Sequence, residues 1–279
     1  MHLWYTEYQT DNIGLSFKIK ETLFVGRSKY QDIAVLDTFE FGRLLVLDGL
    51  VMTTERDEFI YHELITHPAL FTHRCAKNVL VIGGGDGGSI REIIKHDNIK
   101  EAVLCEIDPI VVEVSKRYLP SLSSELENPK VKIVYKDGIN FVSNFRSYFD
   151  IIIVDSTDPI GPAKGLFGLS FYRDCFAALK DEGILICQSE SPIYHLDLIQ
   201  EIQTNLKRVD FPIVKFYYGI IPTYPSGMWS WAFASKKFDP LRDIQEEKIK
   251  NRKFLTKYYN LGIHKAIFNL PSFFKKGLG

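Results

Sequence analysis

The feature that most restricts the fold is the stretch from Lys77 to Ser189, where short apolar segments alternate with helical ones. "NVLVIG", "AVLCEID", "VKIVYKD", "FDIIIVDS" and "GILICQS" are rich in Val, Ile and Leu and are bounded by turn residues, the pattern of buried strands. Between them, "SIREIIKHD", a segment from about Ile110 to Tyr118, and "SFYRDCFAALK" have helical spacing. Strands without a polar face need cover on both sides, and strand–helix repetition supplies that cover in a mostly parallel sheet. The expected class is therefore α/β. A helix from about Leu196 to Leu206 and the strands "IVKFYYGII" and "WSWAFASK" continue the pattern.

The upstream part reads differently. "LSFKIKETLFV", "DIAVLDT" and "RLLVLDGLVMT" are strand-like with partial alternation, and Asp48-Gly49 marks a hairpin. This predicts a small antiparallel β domain over residues 1–66, ending in a linking helix, before a second domain over 67–279. The helix is expected to open with the capping-box-like "TERD", Thr54 as N-cap, and to be interrupted at Pro68. A chain of 279 residues is long enough for one large domain plus a small one.

With 34 basic and 35 acidic residues, the chain has no electrostatic footprint for nucleic acid. No apolar run approaches the roughly 20 residues that span a bilayer, so no membrane partner is expected. Cys75, Cys105, Cys175 and Cys187 form no CxxC pair and are expected to be buried free thiols, as in a reducing cytosol. The opening "MHLWYTEYQTD" has neither a basic nor an apolar leader region, which also points to a cytoplasmic protein. "HELITH" resembles a zinc-protease helix, but His62 and His67 are five apart instead of four and would face different ways.

Ligands of parallel α/β sheets sit beyond the strand carboxyl ends, and Gly83–Gly88, Glu106, Asp137 and Asp155 all fall there. In "VLVIGGGDGGSIREII", Gly83, Gly85 and Gly88 satisfy the dinucleotide pattern, and Glu106 stands where a ribose-binding acid is expected. Asp86 changes the meaning of that loop. It repels a pyrophosphate, which argues against an NAD-dependent dehydrogenase, and it stabilises an ammonium or sulfonium. The residue is also compatible with a helix cap. In "VDSTDPIGPAKGLFG", Asp155 and Asp158 are close enough to repel unless a cation or a shared proton intervenes. The Gly- and Pro-rich continuation to Gly168 is long for a strand–helix connection and suggests a lid. "IPTYPSG" is a rigid turn presenting Tyr224.

Taken in order, "LDGLVMTTERDEFIYHE", "VLVIGGGDGGSIRE", "CEID", "DSTDPIGPA" and "IPTYPSG" resemble the polyamine aminopropyltransferases, the spermidine synthases in particular, over nearly the whole chain. The resemblance implies a small N-terminal β domain on a Rossmann-like, methyltransferase-type domain, assembled as a homodimer or homotetramer. It implies aminopropyl transfer from decarboxylated S-adenosylmethionine, a co-substrate, to putrescine, with no metal or redox cofactor. By motif, Gln31 and Glu106 would hold the thioribose region, and Asp137 and Gly138 the adenine, with Pro162 at the lid and Gly83 and Gly85 in the donor loop. Asp86 would bind the aminopropyl ammonium, and Asp155 would act as base on the attacking amine. Tyr61, His62, Asp158 and Tyr224 would line the polyamine channel. Some family members carry glutamine at the position of His62, so a neutral polar contact is expected there. Related acceptors such as agmatine or cadaverine, and putrescine N-methylation, are the nearest alternative activities.

Overall fold

The computed structural model describes residues 3–157 and 161–279, with only the backbone of Gly161 and Pro162. Five strands come first: β1 (Leu3–Thr10), β2 (Ile13–Arg27), β3 (Asp32–Thr38), β4 (Arg43–Leu47) and β5 (Leu50–Thr54). They pair antiparallel in chain order. The hairpin turn between β4 and β5 uses Asp48 and Gly49, both with positive φ, as the sequence pair predicts. Alternation divides this sheet between two small cores. Ile33, Val35, Leu45 and Leu47 pack with Val111, Val114, Leu119 and Leu122 of the second part of the chain. Phe17, Ile19, Leu36, Leu44, Val46 and Val51 pack together separately.

Helix α1 (Glu58–Thr72) follows, buried along most of its length. Two expectations about it are corrected. Thr54 does not cap it, because Thr54 still pairs with Leu44 as the last residue of β5. Asp57 instead accepts the Thr54 hydroxyl at 2.6 Å on one oxygen, and the Thr223 N–H and hydroxyl at 3.0 and 2.7 Å on the other. It is thus a clamp between β5, α1 and the Ile221–Gly227 turn. Pro68 does not interrupt the helix either. A proline leaves the carbonyl four residues back without its helical donor, and here the Tyr217 hydroxyl donates to Leu64 O at 2.8 Å in its place.

The alternating region forms β6 (Asn78–Gly83), α2 (Gly88–Ile94), β7 (Glu101–Glu106), α3 (Pro109–Tyr118), α4 (Pro120–Ser123), β8 (Val131–Tyr135), α5 (Gly138–Val142) and β9 (Phe149–Asp155). A 3-10 helix (Gly161–Phe167), α6 (Leu169–Ala178), β10 (Leu179–Gln188), α7 (Leu196–Arg208), β11 (Ile213–Ile220) and β12 (Met228–Ser235) complete the sheet region. The sheet order is β11-β12-β10-β9-β6-β7-β8. Strands β8, β7, β6, β9 and β10 are parallel, whereas β12 runs antiparallel to β10 and β11. Every residue of β9 is buried, as a central strand covered on both faces requires. The fold is the expected α/β class, with an antiparallel N-terminal sheet and a mostly parallel second sheet. The connections from β6 and from β9 leave in opposite directions, so a switch point lies between these neighbours.

Strand β1 was not anticipated, because its exposed Leu3, Trp4 and Tyr8 blur the alternation. The chain closes with α8 (Glu246–Lys250), α9 (Leu261–Ile267) and α10 (Ser272–Gly277), also unread in the sequence. Buried Glu63 of α1 anchors this part by accepting the backbone N–H groups of Lys257, Tyr258 and Tyr259 at 2.7, 2.9 and 2.7 Å. Cys105, Cys175 and Cys187 are buried free thiols, but Cys75 is exposed, since it lies in the turn after α1. No helix among the described residues is long and apolar enough to cross a membrane.

Candidate active site

The site begins with the register of β6 against β9, which sets Gly83 opposite Asp155. A Cβ on Gly83 would lie 2.2 Å from the Asp155 carbonyl oxygen, and the backbone there has φ +79. Only glycine fits. Next in the loop, a Cβ on Gly85 would meet Glu106 Oε2 at 2.9 Å, so the glycine lets the loop run against that carboxylate. These approaches open a cavity of about 280 Å³ beyond the strand ends, walled on one side by Leu45, Leu47, Leu50 and Met52 of the N-terminal sheet. It gathers Gln31, Tyr61, His62, Gly83, Gly85, Asp86, Glu106, Asp137, Gly138, Asp155 and Tyr224. Asp158 lies outside the described residues, as does the side chain of Pro162; beyond them, Ala163 and Leu166 border the cavity.

Asp155 ends β9 and is held at both oxygens. The Tyr61 hydroxyl donates to Oδ1 at 2.7 Å and the Ser89 hydroxyl to Oδ2 at 2.6 Å. Burial raises its pKa, the positive charge of His62 opposes that rise, and the charge of Asp86 adds to it. The net displacement is upward, so Asp155 is a better proton acceptor than an exposed aspartate.

Asp86 accepts the Gly88 N–H at 2.7 Å and therefore does act on the start of α2. Its Oδ1 also lies 3.4 Å from His62 Nε2, while His62 Nδ1 is 2.6 Å from Glu58 Oε2. Arg91 closes the row, with NH1 and NH2 donating to the two Glu58 oxygens at 3.0 and 2.8 Å. For Asp86, burial favours the neutral form, but the attraction and hydrogen bond of His62 outweigh it and hold the carboxyl below the usual range. Burial likewise opposes charge on His62, and the two flanking carboxylates overcome it, placing its pKa well above the ordinary value. Acceptors face both ring nitrogens, which favours the charged form over the neutral contact expected from the sequence.

Glu106 ends β7 and accepts the Asp108 N–H at 2.9 Å. Burial pushes its pKa up to about 7, with the Asp108 charge contributing. Asp108 caps α3 and also receives Ser28 Oγ at 2.6 Å and Gln31 Nε2 at 2.9 Å, so the β2–β3 turn is pinned beside the cavity. Asp137 caps α5 through the Ile139 N–H at 2.8 Å, and a Cβ on Gly138 would lie 2.3 Å from Ile82. Tyr224 donates to Met52 O at 2.7 Å and packs near Tyr61, with ring centres 5.9 Å apart.

Sequence reading missed several partners. Ser89 follows the glycines and could have been noticed only by knowing that α2 faces Asp155. Glu58 was readable as the residue four before His62. A second hollow of about 30 Å³ shares Met52, Tyr61, Thr157 and Tyr224 with the cavity and adds Glu7, Gln188 and Trp229. Glu7 comes from the unanticipated β1, and burial pushes its pKa up to about 7. Among the described residues, the cavity's charged lining is Asp48, Asp86, Glu106, Asp137 and Asp155 against His62, a setting for cations. Among the described residues no group of three or more His, Cys, Asp or Glu could hold a metal ion.

Known proteins decide the family. The profile described as "Spermine/spermidine synthase domain" matches residues 58–246, and "Spermidine synthase tetramerisation domain" matches residues 3–55. The chain belongs to the spermine/spermidine synthase family. Among its relatives, the polyamine aminopropyltransferase of Caldicellulosiruptor saccharolyticus is 52% identical over 276 residues, covering 99% of this chain and 98% of that one. That of Methanocaldococcus jannaschii is 49% identical over 277 residues, covering 98% and 94%. A spermidine synthase crystallised with the transition-state analogue AdoDATO has a TM-score of 0.98 at 43% identity, covering 100% of this chain and 96% of that one. The spermidine synthase of Thermotoga maritima has a TM-score of 0.96 at 43% identity, covering 100% and 95%. As a member of this family the chain is an enzyme, an aminopropyltransferase.

Proposed function

We propose that this aminopropyltransferase moves the aminopropyl group of decarboxylated S-adenosylmethionine to putrescine, giving spermidine and methylthioadenosine. The observation that carries the reading is the glycine loop, which turns a carboxylate toward the cavity and sets it near Asp155. A nucleoside donor with positive charge and no phosphate matches that loop. Glu106 and Gln31 take the ribose, Asp137 and Gly138 the adenine, and Asp86 the propyl ammonium. The acceptor lies along Tyr61, Tyr224 and Asp155, and its far amine extends toward Glu7 and Gln188. Asp158 and Pro162 are assigned to the channel and the lid on their motifs alone.

The acceptor nitrogen attacks the carbon beside the sulfonium. The carbon–sulfur bond breaks, the sulfur keeps the electron pair, and a neutral thioether leaves. The nitrogen must lose a proton. With pKa values of about 10.4 for a primary ammonium and 3.9 for an ordinary aspartate, direct transfer costs roughly 9 kcal/mol. The upward shift at Asp155 reduces that cost, and the donor's sulfonium lowers the amine's own pKa. Asp155 orients the nitrogen and takes the proton late, and positioning two cations in line supplies much of the rest.

The N-terminal sheet is proposed to assemble the chain into a homodimer or homotetramer, with the division near residue 66 falling within α1, which links the two parts. The matched tetramerisation profile and the exposed Trp4, Tyr8 and Val25 of β1 and β2 support this. The test of the activity is to incubate the protein with decarboxylated or intact S-adenosylmethionine and with putrescine, cadaverine or agmatine. Methylthioadenosine formed most efficiently with the decarboxylated donor and putrescine is expected. S-adenosylhomocysteine with methylated putrescine, or a clear preference for agmatine, would overturn the reading.

A further inference from the structure

If Asp86 receives the donor's ammonium, as proposed above, the carboxylate already has a cationic neighbour to displace. His62 is 2% exposed, and its two ring nitrogens face Glu58 and Asp86. Ionised carboxylates only accept, so the ring satisfies both only with a proton on each nitrogen. The titratable and charged groups around it are few. Glu58 and the edge of the Tyr61 ring, at 5.5 Å, come from α1. Asp86 comes from the glycine loop, Arg91 from α2 through its paired bond to Glu58, and Asp155 from β9 through space. The ring is also walled in: a Cβ on Gly88 would fall 2.3 Å from its Cε1. It sits where only glycine leaves room.

Two cations on one buried carboxylate repel each other. The reduced dielectric of a buried site makes that repulsion stronger than it is in water. Of the groups present, an imidazolium loses its proton far more readily than a primary ammonium or a guanidinium. We propose that His62 is an exchangeable counter-ion of Asp86, cationic in the empty site and giving up its Nε2 proton to solvent as the donor's ammonium takes its place. The neutral ring keeps its Nδ1 proton toward Glu58, and its Nε2 lone pair turns from donor to acceptor. His62 and Asp86 together then offer two acceptors to one primary ammonium. An intact donor, whose extra carboxylate lies on the adjacent carbon, would meet both. His62 is thereby a residue for donor specificity as well as a channel wall.

Calorimetry in two buffers of different ionisation enthalpy reads the protons exchanged on binding. The ligands are decarboxylated S-adenosylmethionine and methylthioadenosine, which lacks the ammonium. Any proton exchanged by Glu106 is common to both and cancels in the difference. In the wild type, the amine-bearing ligand is expected to release up to one proton more. Its affinity relative to methylthioadenosine should then rise up to tenfold per pH unit while His62 is protonated in the free protein. His62→Gln should abolish both effects while still binding methylthioadenosine. Equal proton counts in the wild type, or a difference that survives His62→Gln, would overturn the inference. If the variant fails to fold, the wild-type comparison decides alone. A wild type that binds methylthioadenosine but not the decarboxylated donor would instead overturn the donor reading itself, a distinct outcome.

Discussion

Tyr61→Phe removes one oxygen and leaves the rest of the site in place. Its ring contacts with Tyr224 and Trp231, at 5.9 and 5.6 Å between centres, remain available to phenylalanine. What disappears is the 2.7 Å hydrogen bond to Asp155 Oδ1, while Ser89 still donates to Oδ2. A bond to the ionised form lowers a carboxyl pKa, so its loss raises that of Asp155. A hydrogen bond to a charged group is worth about 1.5–3 kcal/mol, which corresponds to roughly 1–2 pH units. Turnover at saturating substrates, followed as methylthioadenosine release from about pH 5.5 to 9.5, should show the acid limb displaced upward by that amount. The alkaline plateau should persist, because Asp155 is ionised there in both proteins. An acid limb that stays put beneath a lowered plateau would refute the reasoning: Tyr61 would then act on the acceptor's position and not through Asp155.

Other expectations test the donor side and the fold. Asp86→Ala should weaken decarboxylated donor binding about 10- to 100-fold, the loss of one charged hydrogen bond, and reduce discrimination against intact S-adenosylmethionine. Competition assays against methylthioadenosine check it, and unchanged relative affinities would leave Asp86 as a cap on α2 only. Glu106 has a folded pKa raised from 4.5 to about 7, so the stability linked to its protonated form is complete below about pH 4.5 and is lost as pH rises through 7. Glu106→Gln should therefore make the ligand-free protein more stable at about pH 8, by up to the order of 3 kcal/mol in urea unfolding, with little gain near pH 4.5. The same variant should bind methylthioadenosine more weakly. Gly83→Ala combines a positive φ with a contact to the Asp155 carbonyl and should cost at least about 2 kcal/mol in denaturant melts.

Much of this site was legible in the chain because parallel α/β sheets put their ligands at one edge. Gly83–Gly88, Glu106, Asp137 and Asp155 each follow an apolar strand, and locating the strands located them. Tyr61, His62 and Tyr224 came from the family resemblance, since a helix and a distant turn have no local signal that they face a sheet edge. Ser89, Glu58, Arg91 and Glu7 were not found. Their roles depend on neighbours as far as 66 residues away for Ser89 and Asp155. Thr54 and Asp57 show the opposite failure: a local capping pattern was overruled because strand pairing kept Thr54 extended and Thr223 supplied Asp57 with donors.

The sequence alone determined the layers, the strand edge that gathers the candidate site, and the aspartate set among the glycines of its first loop. Those properties follow from periodicity, glycine and charge, which are written residue by residue. Only the tertiary structure decided in which direction each group's hold on its proton shifts. Glu58, His62 and Asp86 come from one helix and one loop, and the two carboxylates beside the ring push the histidine pKa well above its ordinary value against the effect of burial. Asp155 shifts upward and Glu106 up to about 7 for the same reason: removal from water and proximity to other charges are set by packing, not by chain order.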